Sequence, residues 1–215
     1  TDAQTVTLQS HGGADHALGA VTLDSKDTDT LTISTAATGS DLVQTGAFAA
    51  DDVKDVTITA AKDNSTISLG AGSTFLATAD LLQTLTISAT AENDGDVTIT
   101  TLGGTAAAAA LQTISITASA DATIASATGA DVTTGIVDAA GADLTSITLA
   151  ANYTGSVVTV GAGGADDILA DSAATITVSA VTGAEVDVQG GVDITTIGQL
   201  TASGGGTIRF DNSDN

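Results

Sequence analysis

One short phrase recurs along this chain at a nearly constant interval, and that interval limits the possible folds more than any other feature. The phrase alternates aliphatic and hydroxyl side chains: LTIS at Leu31, VTIT at Val56, LTIS at Leu85, ISIT at Ile114, ITLA at Ile147 and ITVS at Ile176. Val56 to Leu85, Leu85 to Ile114 and Ile147 to Ile176 are each 29 residues, while Ile114 to Ile147 is 33 and Leu31 to Val56 is 25. A period of two marks a half-buried strand, with aliphatics on one face and Thr or Ser on the other. A second run follows in each unit: STISL near Ile67, VTIT at Val97, ATIA at Ile124, SVVTV at Val158 and EVDV at Val186. Turn-forming Asp, Asn and Gly separate the two runs, as in AAKDNS and ATAENDGD. Less regular segments such as GSTFLATAD, GGTAAAAA and TTGIVDAAGAD lead back to the next phrase.

One unit cannot bury its own apolar face, but a stack of units can. Identical strands then pair in parallel, and each coil must offer its neighbours the same inward residue. The expected fold is therefore all-β, a parallel β-solenoid (β-helix) of about 29-residue coils, built as one domain over residues 1–215. Short cap strands are expected over about 1–30 and 186–215, where either the coils shorten or a small sheet closes the stack. GGTAAAAALQT has helix propensity but is too short to be stable alone. Tandem β-sandwich domains are the alternative, since short alternating strands suit them too. The lack of Trp and Pro and the regular period weigh against sandwiches.

Charge narrows the partners. Four Lys plus Arg stand against 26 Asp plus Glu, a net −22. Nucleic acid, which needs a cationic footprint, is excluded, and anionic lipid is disfavoured. No apolar run is long enough to span a bilayer, so no membrane insertion is expected. Cysteine is absent, which removes disulfides and thiol chemistry. Residue 1 is Thr rather than an initiator Met, so a processed piece of a longer precursor is expected.

The acids are almost all aspartate; Glu92 and Glu185 are the exceptions. Asp favours turns and is a short, hard oxygen ligand for Ca²⁺. Clusters recur at Asp24, Asp27 and Asp29, at Asp51, Asp52 and Asp55, at Asn93, Asp94 and Asp96, and at Asp211 and Asp214. Four Lys plus Arg leave most of these carboxylates without a cation, which calls for an external countercharge. The most informative motif is GAGGADDIL, from Gly161 to Leu169. Its Gly161, Gly164, Asp166 and Ile168 fit the calcium-binding nonapeptide G-G-x-G-x-D-x-U-x, with Ala162 replacing the second glycine and Asp167 adding a further carboxylate. HGGADHAL at His11 to Leu18 is a weaker echo, with Asp15 in the ligand place.

On its composition, its LTIS and VTIT strands and GAGGADDIL, the chain resembles the surface-layer and RTX-type secreted calcium-binding β-solenoid proteins of Gram-negative bacteria. Tandem nonapeptides are usual in that class, and this chain has one good copy. The resemblance implies an extracellular, cell-surface structural protein that folds on meeting calcium and self-assembles into a surface layer or matrix filament. Its partners would be copies of itself, with cell-surface polysaccharide as a further candidate. Ca²⁺ would be held by Gly161, Gly164, Asp166, Asp167, Asp24, Asp27, Asp29, Asp51, Asp52, Asn93, Asp94 and Asp96.

No enzyme is expected: Lys26, Lys54, Lys62 and Arg209 are too few and scattered for a polysaccharide lyase, and no Ser-His-Asp spacing occurs. His11 and His16 in HGGADH read as a turn before they read as a metal pair. Two rivals share the fold. A bacterial adhesin stalk would differ only in what touches its ends and sides. An ice-binding β-solenoid would use outward hydroxyl arrays such as Thr57 and Thr59, Thr98 and Thr100, or Ser115 and Thr117. Outward Thr is also the ordinary β-branched filler of a strand.

Overall fold

A run in which every second residue is aliphatic is stable as a strand only when one face is covered. In the computed structural model each recurring phrase is such a strand, covered by the coil around it. The structure describes residues 5–13, 15–23, 29–50, 52–62, 64–70, 73, 75–76, 81–90, 95–102, 113–118, 132–137, 146–160, 175–188 and 200–210, and none of these is helical.

The chain enters with β1 (Thr5–Ser10), β2 (His16–Leu18) and β3 (Val21–Leu23), and repeats the trio as β4 (Thr30–Thr35), β5 (Leu42–Gln44) and β6 (Phe48–Ala50). Pairs follow: β7 (Asp55–Ala60) with β8 (Ser65–Leu69), β9 (Thr84–Ala89) with β10 (Gly95–Leu102), and β11 (Thr113–Ala118) with β12 (Val132–Val137). The last are β13 (Ser146–Ala151) with β14 (Val157–Val160), β15 (Thr175–Ala180) with β16 (Glu185–Val188), and β17 (Leu200–Ser203) with β18 (Thr207–Phe210). The first strand of each set forms one 8-stranded sheet, the second strand forms another, and β3 with β6 makes a 2-stranded third side. Among the described residues every strand pairing is parallel. The fold is a β-solenoid, with rungs about 4.8 Å apart and a stack roughly 35 Å long.

The register of the first sheet is the one the repeat demands. Leu31 pairs with Val56, Val56 with Leu85, Leu85 with Ile114, Ile114 with Ile147 and Ile147 with Ile176. The ladder continues to Val6 at one end and Leu200 at the other. A second inward column runs Ile33, Ile58, Ile87, Ile116, Leu149 and Val178, all buried. A third is the small-residue column Ala60, Ala89, Ala118, Ala151 and Ala180. It lies at the last position of the strands, and the buried Ser10 and Thr35 hold the same position in the first two coils, so this corner takes small side chains. From the second sheet Leu42, Ile67, Val97, Val158 and Val186 close the core. On the third side the Phe48 and Phe75 rings meet edge to face, with centroids 5.0 Å apart.

The corner between the sheets repeats too. Gly13, Gly39, Asn64, Gly155, Gly183 and Gly204 each have positive φ there, between the first and second strands of their coils. Glycine takes that conformation without a Cβ clash, and Asn tolerates it. At the far end the coils shorten: Ile176 pairs with Leu200 and Val186 with Ile208, separations of 24 and 22 residues. There a Cβ on Gly206 would lie 2.3 Å from the Val181 carbonyl oxygen, so the tight approach of coil on coil requires glycine. Shortened coils, rather than a separate capping sheet, carry the pairing to Phe210.

In one coil the segment paired between its neighbours in the second sheet is not the one expected. Ile124 of ATIA lies outside the described residues, and the strand joining β10 to β14 is Val132–Val137 instead, with Val97 paired to Val132 and Val132 to Val158. A strand is selected by what it can pair with on both edges. VTTGIV extends six residues along the eight of β10, whereas ATIA offers four. The 33-residue spacing from Ile114 to Ile147 falls in this same coil.

Inward and outward positions of one strand predict different mutational costs. Ile87→Ala should destabilise by about 2–5 kcal/mol, the usual range for an emptied core site. Its outward neighbour Thr86→Ala should cost less than about 1 kcal/mol. Urea midpoints followed by circular dichroism check the pair, and equal shifts would contradict the assigned faces.

Candidate functional site: acidic corners and outer faces

Asp29, Lys54 and Gln83 each precede a strand of the first sheet, and the backbone links them from coil to coil. Lys54 N–H donates to Asp29 O at 2.9 Å and Gln83 N–H donates to Lys54 O at 2.7 Å. This stacking brings the Lys54 ammonium to the Asp29 carboxylate, 2.5 Å from Oδ1, although the two are 25 residues apart in sequence. The hydrogen bond that Lys54 donates to Asp29, and then the Asp29 charge, hold the Lys54 pKa above its ordinary value of 10.5; desolvation opposes this, and Asp55 and Asp52 add to the rise. The countercharge at this corner is thus a lysine of the next coil. Ca²⁺ requires six to eight oxygens, and here one carboxylate already serves an ammonium. The described acids at this corner do not form a calcium cage by themselves.

Of the other predicted ligands, Asp96 stands in β10 beside Thr66 of the adjacent rung. Gly161, Gly164, Asp166, Asp167, Asp24, Asp27, Asp51, Asn93 and Asp94 lie outside the described residues. Among the described residues no group of three His, Cys, Asp or Glu gathers to hold a metal. Asp41 has a structural duty that the sequence did not signal: its Oδ1 accepts the Thr66 backbone N–H at 2.7 Å, one coil away. The His16 ring is engaged locally, with Nε2 at 3.3 Å from His11 N and 2.5 Å from His11 O.

The outer face of the first sheet has a different character. Its central column reads Thr7, Thr32, Thr57 and Thr86, then Ser115, then Thr148 and Thr177, and Thr201 holds the next register position. The flanking column before it reads Thr5, Thr30, Asp55, Thr84 and Thr113, followed in register by Ser146 and Thr175. The column after it is Gln9, Ser34, Thr59, Ser88 and Thr117, then Ala150 and Ser179. Apart from the end rungs, Ser146 and the buried Ala150, these side chains are partly exposed, each flanked by its neighbours on the sheet. Asp55 is the one ionisable residue among them.

The second sheet is built from the same kind of strand, yet its outward positions carry Asp96, Glu185, Asp187 and Arg209 among Thr and Ser. Arg209 reaches Glu185 on the previous rung at 3.2 Å. The sequence pattern grouped Thr57 and Thr59 with Thr98 and Thr100, but the structure separates them. Thr57 and Thr59 belong to the first sheet with Ser115 and Thr117, and Thr98 and Thr100 to the second. The position of a strand within its coil, first or second, is the signal that sorts them.

The Lys54 pair makes a pH prediction. A lysine whose folded value is raised contributes stability that is present below 10.5 and is lost as pH rises through the folded value. Both side chains are 43% exposed, so the contribution is screened by solvent and salt. In Asp29→Asn the Lys54 titration midpoint, read by NMR, should move down toward 10.5, and the alkaline decline in stability should begin at lower pH. An unmoved midpoint would mean that the pair does not persist in solution.

No protein-family model, no curated protein and no solved structure matches this chain.

Proposed function

We propose that this chain is a structural element of an extracellular assembly, a rigid rod that self-associates at the cell surface as part of a surface layer or matrix filament. The observation that carries the reading is the parallel, in-register ladder of two 8-stranded sheets. An object whose cross-section repeats along one axis resists bending and transmits load along that axis. Parallel strand edges also accept further coils: no described strand pairs with the outer edges of β1 and β2, or of β17 and β18. Such edges are templates for pairing with another chain.

Charge supplies the control. At −22 the copies repel one another, and the repulsion weakens as cations screen or bind the carboxylates. Calcium is the proposed cation, because the sequence motif GAGGADDIL joins glycines to adjacent carboxylates Asp166 and Asp167. Its role would be mechanical, drawing acidic turns together and coupling the stability of the rod to arrival outside the cell.

The test titrates calcium into EDTA-stripped protein while circular dichroism and light scattering are recorded, with magnesium as the control. β-signal or particle size should rise with calcium at concentrations where magnesium has no effect. A folded monomer indifferent to both ions would remove calcium-gated assembly.

A further inference from the structure

We infer that the outer face of the first sheet is a binding surface for crystalline water, that is, for ice. The inference stands apart from calcium and from assembly, since it concerns one face of a single rod.

The argument begins with geometry. Parallel pairing sets the columns of hydroxyls at about 4.8 Å per rung, and alternate residues of a strand lie about 6.6 Å apart. The result is a two-dimensional array of hydroxyl-bearing positions whose two repeats are comparable to the oxygen spacings of hexagonal ice. Soluble ligands engage a site through a few groups, whereas a solid matches a lattice. The face is also rigid. Each inner rung is hydrogen-bonded on both edges, and Thr, branched at Cβ, is held to few χ1 rotamers. Each Thr offers a hydroxyl that can donate and accept, and a methyl beside it that limits where the next water can sit.

The second argument is internal to the molecule. If outward Thr were only β-propensity filler, both large sheets should carry the same decoration. They do not: the second sheet takes Asp96, Glu185, Asp187 and Arg209 on its outward positions, while the first carries Asp55 alone, in a column at the strand start. In a chain of −22, a face nearly free of charge is a selective feature. Charged groups order water around themselves in shells that fit no ice lattice, and their absence suits a face that binds ice. Other occupants fit less well. Among the described residues the face has no aromatic ring for sugars and no cation for phosphate. For a second copy it offers hydroxyls that bulk water can satisfy equally well, with little apolar area to bury.

The test uses the purified chain and four proteins: wild type, Thr86→Lys and Thr86→Ser in the central column, and Thr98→Lys on the second sheet. Fluorescently labelled protein is exposed to a slowly growing ice hemisphere, and the labelled fraction in the ice is measured. Sedimentation velocity and far-UV circular dichroism run in parallel. Wild type and Thr98→Lys should enter the ice and shape its crystals, Thr86→Lys should be excluded, and Thr86→Ser should be taken up less than wild type. Thr86→Ser adds no bulk, so it reports on the same position if Thr86→Lys does not fold. Exclusion of wild type from ice would overturn the inference. So would equal uptake of folded wild type and both Thr86 variants, or a Thr86→Lys variant that alters sedimentation but still enters ice, because the face would then join copies of the chain.

Discussion

Everything in this molecule depends on hydrogen bonding between a strand and the strand one coil away. Within a coil the strands do not pair with one another; each forms its ladder with the coils above and below. The interior follows from that constraint. A residue that faces inward must stack on a residue of similar size in the next coil, which explains why Ile58 lies beneath Ile87 and Ile87 beneath Ile116. The alanine column beside them is the same rule applied at the corner. Buried polar groups can brace the stack where their hydrogen bonds are met, as at Gln44, whereas the buried Ser40 and Ser156 hydroxyls have no partner. Gln44 accepts from Gly70 N–H at 3.1 Å and donates to Gly46 O at 2.8 Å, and so ties two coils together at a corner.

The same constraint arranges the charges. Ion pairs link successive coils rather than residues near in sequence: Asp29 with Lys54, and Glu185 with Arg209. Each is exposed and contributes little stability alone. Each also favours a single vertical register, because slipping one strand by a residue would part the charges and turn the aliphatics outward. The remaining aspartates have few cations to meet. That imbalance makes multivalent cations the natural external variable, and it makes the outer face of the first sheet, where Asp55 is the one ionisable residue, the more distinctive of the two.

A rod with a lattice on one side and charge on the other can serve two purposes at once. The ladder supplies length and stiffness, as the proposed scaffold role requires. The hydroxyl face adds a surface whose periodicity is that of the backbone itself. Mechanical support and recognition would then draw on one interaction, the parallel ladder, and a change that disturbs the ladder would weaken both.

The sequence by itself determined the fold class and the register of the first sheet. The phrase that begins at Leu31, Val56, Leu85, Ile114, Ile147 and Ile176 names in advance the residues that pair, because a core column tolerates only similar side chains. It also indicated the corner at Asn64, where turn chemistry is local. Other features were decided only in three dimensions. ATIA near Ile124 has the alternation of a strand, but VTTGIV makes the pairing, since the choice rests on neighbours 35 and 26 residues away. Lys54 and Asp29 meet through the length of a coil, which no local pattern encodes. Thr57 and Thr98 share a motif yet lie on different sheets, because the corner, and not the strand, sets which way a run of Thr faces. Periodic features were legible because every coil repeats them; the surface chemistry was not, because it depends on how many residues each coil spends between its strands.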